Sequence, residues 1–116
     1  MPYIKVSSNV KSASIATKAA VREISKALAA TLERPEAYVM AHLELDQELV
    51  FSAGSDEPAA FVHVRAIGCF TEATVAKYHA DITASVSSVL GVAPSRVFIT
   101  LDDVAKHNWG WDGKSV

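Results

Sequence analysis

The same junction between a helix-like segment and an apolar strand occurs twice in this chain. "RPEAYVMAHL" begins at Arg34 and "APSRVFITL" begins at Ala93, 59 residues later, which is about half of the 116 residues. A turn with proline is favoured at any such junction, but recurrence at half the chain length favours an internal duplication. We therefore predict one domain over residues 1–116, built from pseudo-repeats at about 1–54 and 55–116.

Each predicted repeat has the order strand, helix, strand. The strands are assigned to four apolar or alternating segments, residues 2–6, 38–45, 59–67 and 96–101. Apolar residues at helical spacing predict a first helix that Ser12 or Ser14 caps and that ends before Pro35. The second helix is predicted to begin at Thr71 and to end at Gly91.

This order determines the topology of the sheet. A β-α-β crossover is right-handed and makes its two strands parallel. Two such units give an α+β fold, with a four-stranded mixed sheet and two helices on one face. Runs such as Val97-Phe98-Ile99 are apolar on both faces, and such strands are normally covered on both faces. Self-association is therefore expected to cover the second face, and short edge strands near residues 49–51 and 109–111 would extend neighbouring sheets.

Charge and composition exclude several classes of partner. The formal net charge of −2 and the pI of about 6.0 argue against nucleic-acid binding. No signal peptide and no apolar stretch of ~20 residues is recognised, so membrane insertion is not expected. Cys69 is the only cysteine, which suits the cytoplasm, and a buried thiol is favoured over a reactive one. The four histidines lack metal-ligand spacing, so neither a metal nor a cofactor is expected.

Pro2 directly follows the initiator methionine. A proline here can simply begin a strand, since its missing N–H is tolerated there. If Met1 is trimmed, however, Pro2 carries a free secondary amine on a rigid ring. An apolar pocket and neighbouring cations would lower the pKa of that amine, and a base whose pKa lies near the working pH is efficient. Pro2 is therefore a candidate general base, provided that Met1 is removed.

Six short segments, each weak alone, form a specific set when taken in order. They are residues 1–4 (MPYI), 34–40 (RPEAYVM), 51–58 (FSAGSDEP), 66–68 (AIG), 94–99 (PSRVFI) and 108–113 (NWGWDG). In this order and spacing the chain resembles the macrophage migration inhibitory factor family of the tautomerase superfamily. The resemblance covers essentially the whole chain.

The resemblance implies a tautomerase-like β-α-β pseudo-repeat that assembles as a homotrimer. It also implies an isomerase, a keto–enol tautomerase of phenylpyruvate or dopachrome type, which uses the mature N-terminal Pro2 on small aromatic α-keto acids. The alternative is a cytokine-like or cytokine-mimicking ligand, which would meet a host or cell-surface receptor after export without a signal peptide. An inert α/β assembly is the third hypothesis.

Several site residues follow from positions that match the family's motifs. Arg34 matches a family lysine and is expected to hold the substrate carboxylate, although it can also stabilise the C-terminal dipole of the first helix. Ile67 matches a position whose backbone N–H binds substrate. Phe98 matches a tyrosine that reaches the site from a neighbouring subunit, and without the hydroxyl it can only stack.

Tyr38, Trp109 and Val116 match other wall positions of the family's site, with generic packing as the competing interpretation. Val116 replaces a phenylalanine common in the family, which leaves a shallower apolar wall. Arg65 has the same strand parity as Ile67. It is therefore expected either to add a second cation near the mouth of the site or to form a solvated or interface ion pair.

Overall fold

Two β-α-β units make up most of the chain, and the computed structural model describes residues 1–116. The first unit contains β1 (Tyr3–Ser8), α1 (Thr17–Leu32) and β2 (Met40–Glu44). The second contains β3 (Ala60–Ala66), α2 (Val75–Leu90) and β4 (Val97–Asp103). A short hairpin of β5 (Gly110–Trp111) and β6 (Lys114–Ser115) follows. Each helix has 16 residues, and α2 begins 58 positions after α1.

The four long strands form one mixed sheet in the order β2-β1-β3-β4. The central strands β1 and β3 are antiparallel, while β2 and β4 run parallel to their neighbours at the two edges. Tyr3 lies opposite Met40 in the first unit, and Phe61 lies opposite Phe98 in the second. These residues occupy equivalent positions of the repeat, so the parallel strand pairs of the two units have the same register. The predicted fold class, with two helices and a four-stranded mixed sheet, is confirmed.

The core lies between this sheet and the two helices. Alternate residues of the central strands are almost fully buried, among them Ile4, Val6, Val62 and Val64. The helices contribute stripes at three- and four-residue spacing, including Ile24 and Leu28 on α1 and Ile82 and Val86 on α2. Burying each such side chain stabilises the fold by about 1.5–3 kcal/mol. Neither helix is long and apolar enough to cross a membrane.

The opposite face of the sheet is polar at its centre. The Lys5 ammonium lies 3.6 Å from the Glu44 carboxylate, and His63 contacts the Asp102 carboxylate. Exposed apolar side chains, such as Phe98, are found toward the edges of this face. The prediction that the strands are apolar on both faces is therefore wrong for the middle of the sheet, because period-two alternation brings charged and histidine side chains there.

The predicted cap of the first helix is also wrong. Ser12 and Ser14 lie in a separate 3-10 turn, and α1 begins only at Thr17. The Ser12 N–H donates to the Asp46 carboxylate at 3.0 Å, while the Ser14 hydroxyl donates to the Lys11 carbonyl at 2.7 Å. Both serines are thus engaged outside the helix, Ser14 within its own turn and Ser12 with the distant Asp46, so neither caps α1.

The second helix also begins later than predicted. α2 starts at Val75, whose N–H donates to the Thr71 carbonyl at 3.1 Å. The Thr74 hydroxyl bonds within the same turn and accepts the Thr71 N–H. The predicted helix ends are confirmed, since α1 ends before Pro35 and α2 ends before Gly91. The C-cap residues Glu33 and Gly91 both adopt the left-handed conformation.

The two predicted edge strands differ in outcome within the single chain. Residues 49–51 form no strand and contribute one bridge, between Phe51 and Ser55. Trp111, by contrast, belongs to a strand, because β5 pairs with β6 through Trp111 and Lys114. Pairing of these segments with neighbouring sheets stays a prediction.

Candidate active site

A cavity of about 610 Å³ lies beside the start of β1. Its wall is formed by the first residues of the chain, the turn after α1 and the C-terminal hairpin with the segment before it. Most of the lining side chains are apolar or aromatic. The volume and the apolar wall are typical of pockets that bind small organic molecules.

Pro2 lies in this wall, and its ring is almost completely buried. The Pro2 carbonyl accepts the Met40 N–H at 3.0 Å, which continues the ladder between β1 and β2 to the very start of the strand. Met1 is partly buried and lines the same cavity. While Met1 is attached, the Pro2 nitrogen is an amide and cannot act as a base.

Four of the residues predicted from sequence come together in the cavity. Pro2, Tyr38, Arg65 and Trp109 all line it. Tyr38 ends the 3-10 turn after α1 and is 52% exposed. The Trp109 carbonyl accepts the Val116 N–H at 2.9 Å, which holds the end of the chain against the segment that carries the indole.

The other four predicted residues do not line the cavity of the single chain. The Arg34 side chain is exposed just beyond the end of α1. Ile67 is half-buried after β3, and Val116 lies at the exposed end of the hairpin. Phe98 is 51% exposed on β4, where its ring centroid is 4.9 Å from that of Phe51. Its predicted contact across a subunit boundary stays a prediction.

Sequence reasoning missed several residues of the wall, above all Trp111. Trp111 reaches the cavity because the hairpin turns back at Asp112-Gly113, where both residues have positive φ. Asp-Gly between two short strands is a strong signal for such a two-residue turn. That signal would have predicted the hairpin, and with it the second tryptophan of the wall.

Arg65 is the only lining residue with a charged side chain, and the other charged group of a lining residue is the N-terminal ammonium of Met1. No acidic residue lines the wall. The two carboxyl groups whose pKa is lowered by hydrogen bonds, Asp46 and Asp81, both lie outside it. No cluster of three or more His, Cys, Asp or Glu side chains could hold a metal ion. The arrangement suits a small molecule with an apolar body and one negative charge.

Comparison with known proteins gives one consistent result. The sequence model of the family "Macrophage migration inhibitory factor (MIF)" matches residues 1–116. The macrophage migration inhibitory factor of Mus musculus is 30% identical over 115 residues, which cover 99% of this chain and 98% of the relative. The homolog from Trichuris trichiura is 28% identical and covers 99% of each chain.

Solved structures agree in fold. The macrophage migration inhibitory factor homologue from Prochlorococcus marinus shares 29% identity and a TM-score of 0.88, with 97% of each chain covered. The protein from Trichinella spiralis shares 24% identity and a TM-score of 0.91, covering 98% of this chain and 99% of that one. The predicted family is confirmed by both comparisons. The chain belongs to the macrophage migration inhibitory factor family.

Proposed function

We propose that this protein is a keto–enol tautomerase of small aromatic α-keto acids, of phenylpyruvate or dopachrome type, with Pro2 as its general base once Met1 has been removed. The observation that carries the proposal is the buried Pro2 ring in the wall of an apolar cavity that has one cationic side chain and no acidic one. Membership of the family supports a tautomerase-type activity in general terms.

The chemistry follows from the amine that trimming would expose. A neutral Pro2 nitrogen takes a proton from the carbon beside the ketone. The electron pair of that C–H bond forms the C=C bond of the enol, and negative charge develops on the ketone oxygen. The protonated Pro2 amine returns its proton to that oxygen, directly or through water, which regenerates the neutral base, so the reaction is balanced without a co-reactant. Burial and a nearby cation both disfavour the protonated amine, which keeps the base neutral near the working pH.

The wall supports an aromatic substrate in particular. Tyr38, Trp109 and Trp111 line the cavity and offer flat apolar surfaces to a phenyl or indole-like ring. Offset or edge-to-face contacts between aromatic rings contribute about 0.5–1.5 kcal/mol each beyond burial. The rings line a cavity of about 610 Å³, a size that favours a small substrate over a macromolecular one.

We also propose that the active species is a homotrimer. The exposed side chains Met40, Phe61 and Phe98 lie on the sheet face that no helix covers, and such residues favour association. In an assembly, Phe98 of a neighbouring subunit would complete the wall of the cavity. Sedimentation equilibrium tests the proposal, since a monomeric mass at micromolar concentration contradicts it.

The first test compares turnover of 4-hydroxyphenylpyruvate by three proteins whose masses confirm the loss of Met1. We expect Pro2→Gly to lose at least about 100-fold in kcat/KM, because a positioned general base contributes roughly that much. Pro94→Gly is the matched control, since Pro94 lies in the turn after α2, away from the cavity. Its turnover should equal that of the unmodified chain.

Two results would contradict the proposal. Processed protein without turnover would exclude a tautomerase of this substrate class. Undiminished turnover by Pro2→Gly would leave the reaction in place and exclude Pro2 as its base.

A cytokine-like ligand is the second candidate, and the name of the Mus musculus relative, a macrophage migration inhibitory factor, supports it. A ligand of this kind uses its outer surface, so its binding should not depend on the base in the cavity. This candidate is supported if Pro2→Gly and the unmodified chain bind cell-surface receptors with equal affinity. Absence of binding to macrophages contradicts it.

A further inference from the structure

We propose that Arg65, and not Arg34, holds the carboxylate of an acidic ligand in the cavity. This inference rests on the proposed function for the identity of the substrate. It concerns which cation of this chain selects an α-keto acid over a neutral ketone.

The position of Arg65 follows from the pairing of the two central strands. Arg65 lies directly opposite Tyr3, the residue after Pro2, in the antiparallel ladder of β1 and β3. Side chains that lie opposite each other in such a pair project from the same face and are about 4.5–5.5 Å apart at Cβ. The Arg65 side chain therefore projects from the same face as Tyr3, at the end of the sheet where the chain begins, and Arg65 lines the cavity together with Tyr3 and Pro2.

Within the single chain the guanidinium is also unpaired. Arg65 is exposed and has no carboxylate within 4.0 Å. Asp102 is its neighbour on β4, but that carboxylate contacts His63. Asp103, the next residue, accepts the Gly68 N–H at 2.8 Å. The nearby acids thus have other partners, and the five donors of Arg65 remain available for a carboxylate.

Charge and shape then point to one class of ligand. A single cationic side chain at the edge of an apolar cavity that lacks acidic groups attracts an anion with an apolar body. Arginine binds a carboxylate through two parallel hydrogen bonds, which fixes the orientation of the ligand as well as its affinity. A substrate held in this way would present its keto group and adjacent carbon to the wall that contains Pro2.

Arg34 lacks these properties. Its side chain does not line the cavity, and its backbone N–H donates to the Ala29 carbonyl at 3.0 Å as part of the end of α1. A cation at that place stabilises the C-terminal dipole of the helix. This role gives the basic residue at that position a structural reason that does not depend on a ligand.

The kinetic test uses Met1-free protein and two substrates, phenylpyruvate and its methyl ester. For the acid, Arg65→Ala should raise KM by about 10- to 100-fold with kcat within about 3-fold, the loss typical of a hydrogen-bonded charge pair. The ester lacks the charge, so its kcat/KM should be nearly unchanged. Arg65→Lys should restore part of the affinity, and Arg22→Ala, an exposed arginine of α1, is the matched control.

A binding test separates this inference from the proposed function. Calorimetric titration with 3-(4-hydroxyphenyl)propionate, an aromatic carboxylate that cannot tautomerise, measures the role of Arg65 without turnover. A loss of affinity of at least about 10-fold in Arg65→Ala supports the assignment. This holds even if the protein turns over no substrate, because missing turnover contradicts only the proposed tautomerase activity. Unchanged KM and unchanged probe affinity in Arg65→Ala, or a loss confined to Arg34→Ala, would overturn it.

Discussion

The two β-α-β units of this chain leave their helices in the same way but end in different surroundings. Each helix is followed by a three-residue 3-10 turn, which ends at Tyr38 in the first unit and at Arg96 in the second. Tyr38 is 52% exposed and borders a cavity of about 610 Å³. Arg96 is only 9% exposed, and the cleft beside it measures about 120 Å³.

The side chain at this one position explains much of the difference. The Arg96 guanidinium donates to the carbonyls of Pro58 and Glu57, each at 2.9 Å. Its central carbon also lies 5.3 Å from the centroid of the Phe51 ring. These contacts draw the loop before β3 over the second turn and fill the space there. A tyrosine has no such fork of donors, so the first turn stays open. An open cavity and a sealed junction thus arise from the same order of helix, turn and strand.

The largest expected effect on stability is at the sealed junction. Arg96→Ala should lower the free energy of unfolding by about 2–4 kcal/mol, because it removes several charge-assisted hydrogen bonds to loop carbonyls in a mostly buried site. Tyr38→Ala, at the equivalent open position, should cost less than about 1 kcal/mol. Urea denaturation of both variants measures the two values, and equal costs would remove the contrast between the junctions.

An intermediate effect is expected at the residue that ends each helix. Gly91 and Glu33 both adopt the left-handed conformation, with φ of 71° and 54°. Only glycine does so without a Cβ penalty. Gly91→Ala should therefore destabilise the fold by about 1 kcal/mol, and Glu33→Gly should stabilise it by about 0.5–1 kcal/mol.

Thermal unfolding followed by circular dichroism gives both shifts on the same scale. A stabilising Gly91→Ala variant, or a Glu33→Gly variant less stable than the unmodified chain, would show that the two helix ends are not equivalent. The two stability changes of opposite sign thus test whether the backbone conformation at the helix ends is the same in both repeats.

The smallest effect concerns the contact between the helices. The buried Thr31 hydroxyl donates to the Asp81 carboxylate at 2.7 Å. That hydrogen bond, followed by one from Lys77, lowers the pKa of Asp81 below its ordinary value of 3.8. Because the folded pKa is depressed, the stabilisation is present above pH 3.8 and is lost as the pH falls through the lowered pKa.

Thr31→Val gives α1 the residue that α2 carries 58 positions later, at Val89. The variant should be less stable by about 0.5 kcal/mol at pH 7, and the difference should shrink toward zero in strong acid. Urea titrations at pH 7 and below pH 3 measure it. In an Asp81→Asn background the difference should not depend on pH, and a pH dependence that persists there would assign the effect to another group.

Much of the fold was visible in the sequence, and the reason is periodicity. Alternation in residues 59–67 and the three- and four-residue spacing of Ile82 and Val86 each predict an element without reference to the rest of the chain. Pro2 lies in the wall of the cavity, while its role as a base stays a prediction. Such signals are local, so they are readable before the fold is known.

What the sequence did not reveal depends on contacts between distant residues. From the sequence, Ser12 is a candidate helix cap. In the structure its N–H donates to the carboxylate of Asp46, which is 34 residues away. The Asn9 amide donates to the carbonyls of Asp56 and Glu57, and its oxygen accepts the Ala59 N–H, although nothing near Asn9 indicates a role in closing that loop. Local propensity cannot choose among such partners, because the choice is made by the packed sheet.

The hairpin that closes the cavity has a practical consequence for spectroscopy. The chain contains two tryptophans, Trp109 and Trp111, and both line this one cavity. Indole emission shifts and loses intensity when the polarity around the ring changes or an aromatic quencher approaches it. The tryptophan fluorescence of the whole protein therefore originates at the cavity wall, and it would report occupancy by an aromatic acid directly, without a label and without catalysis.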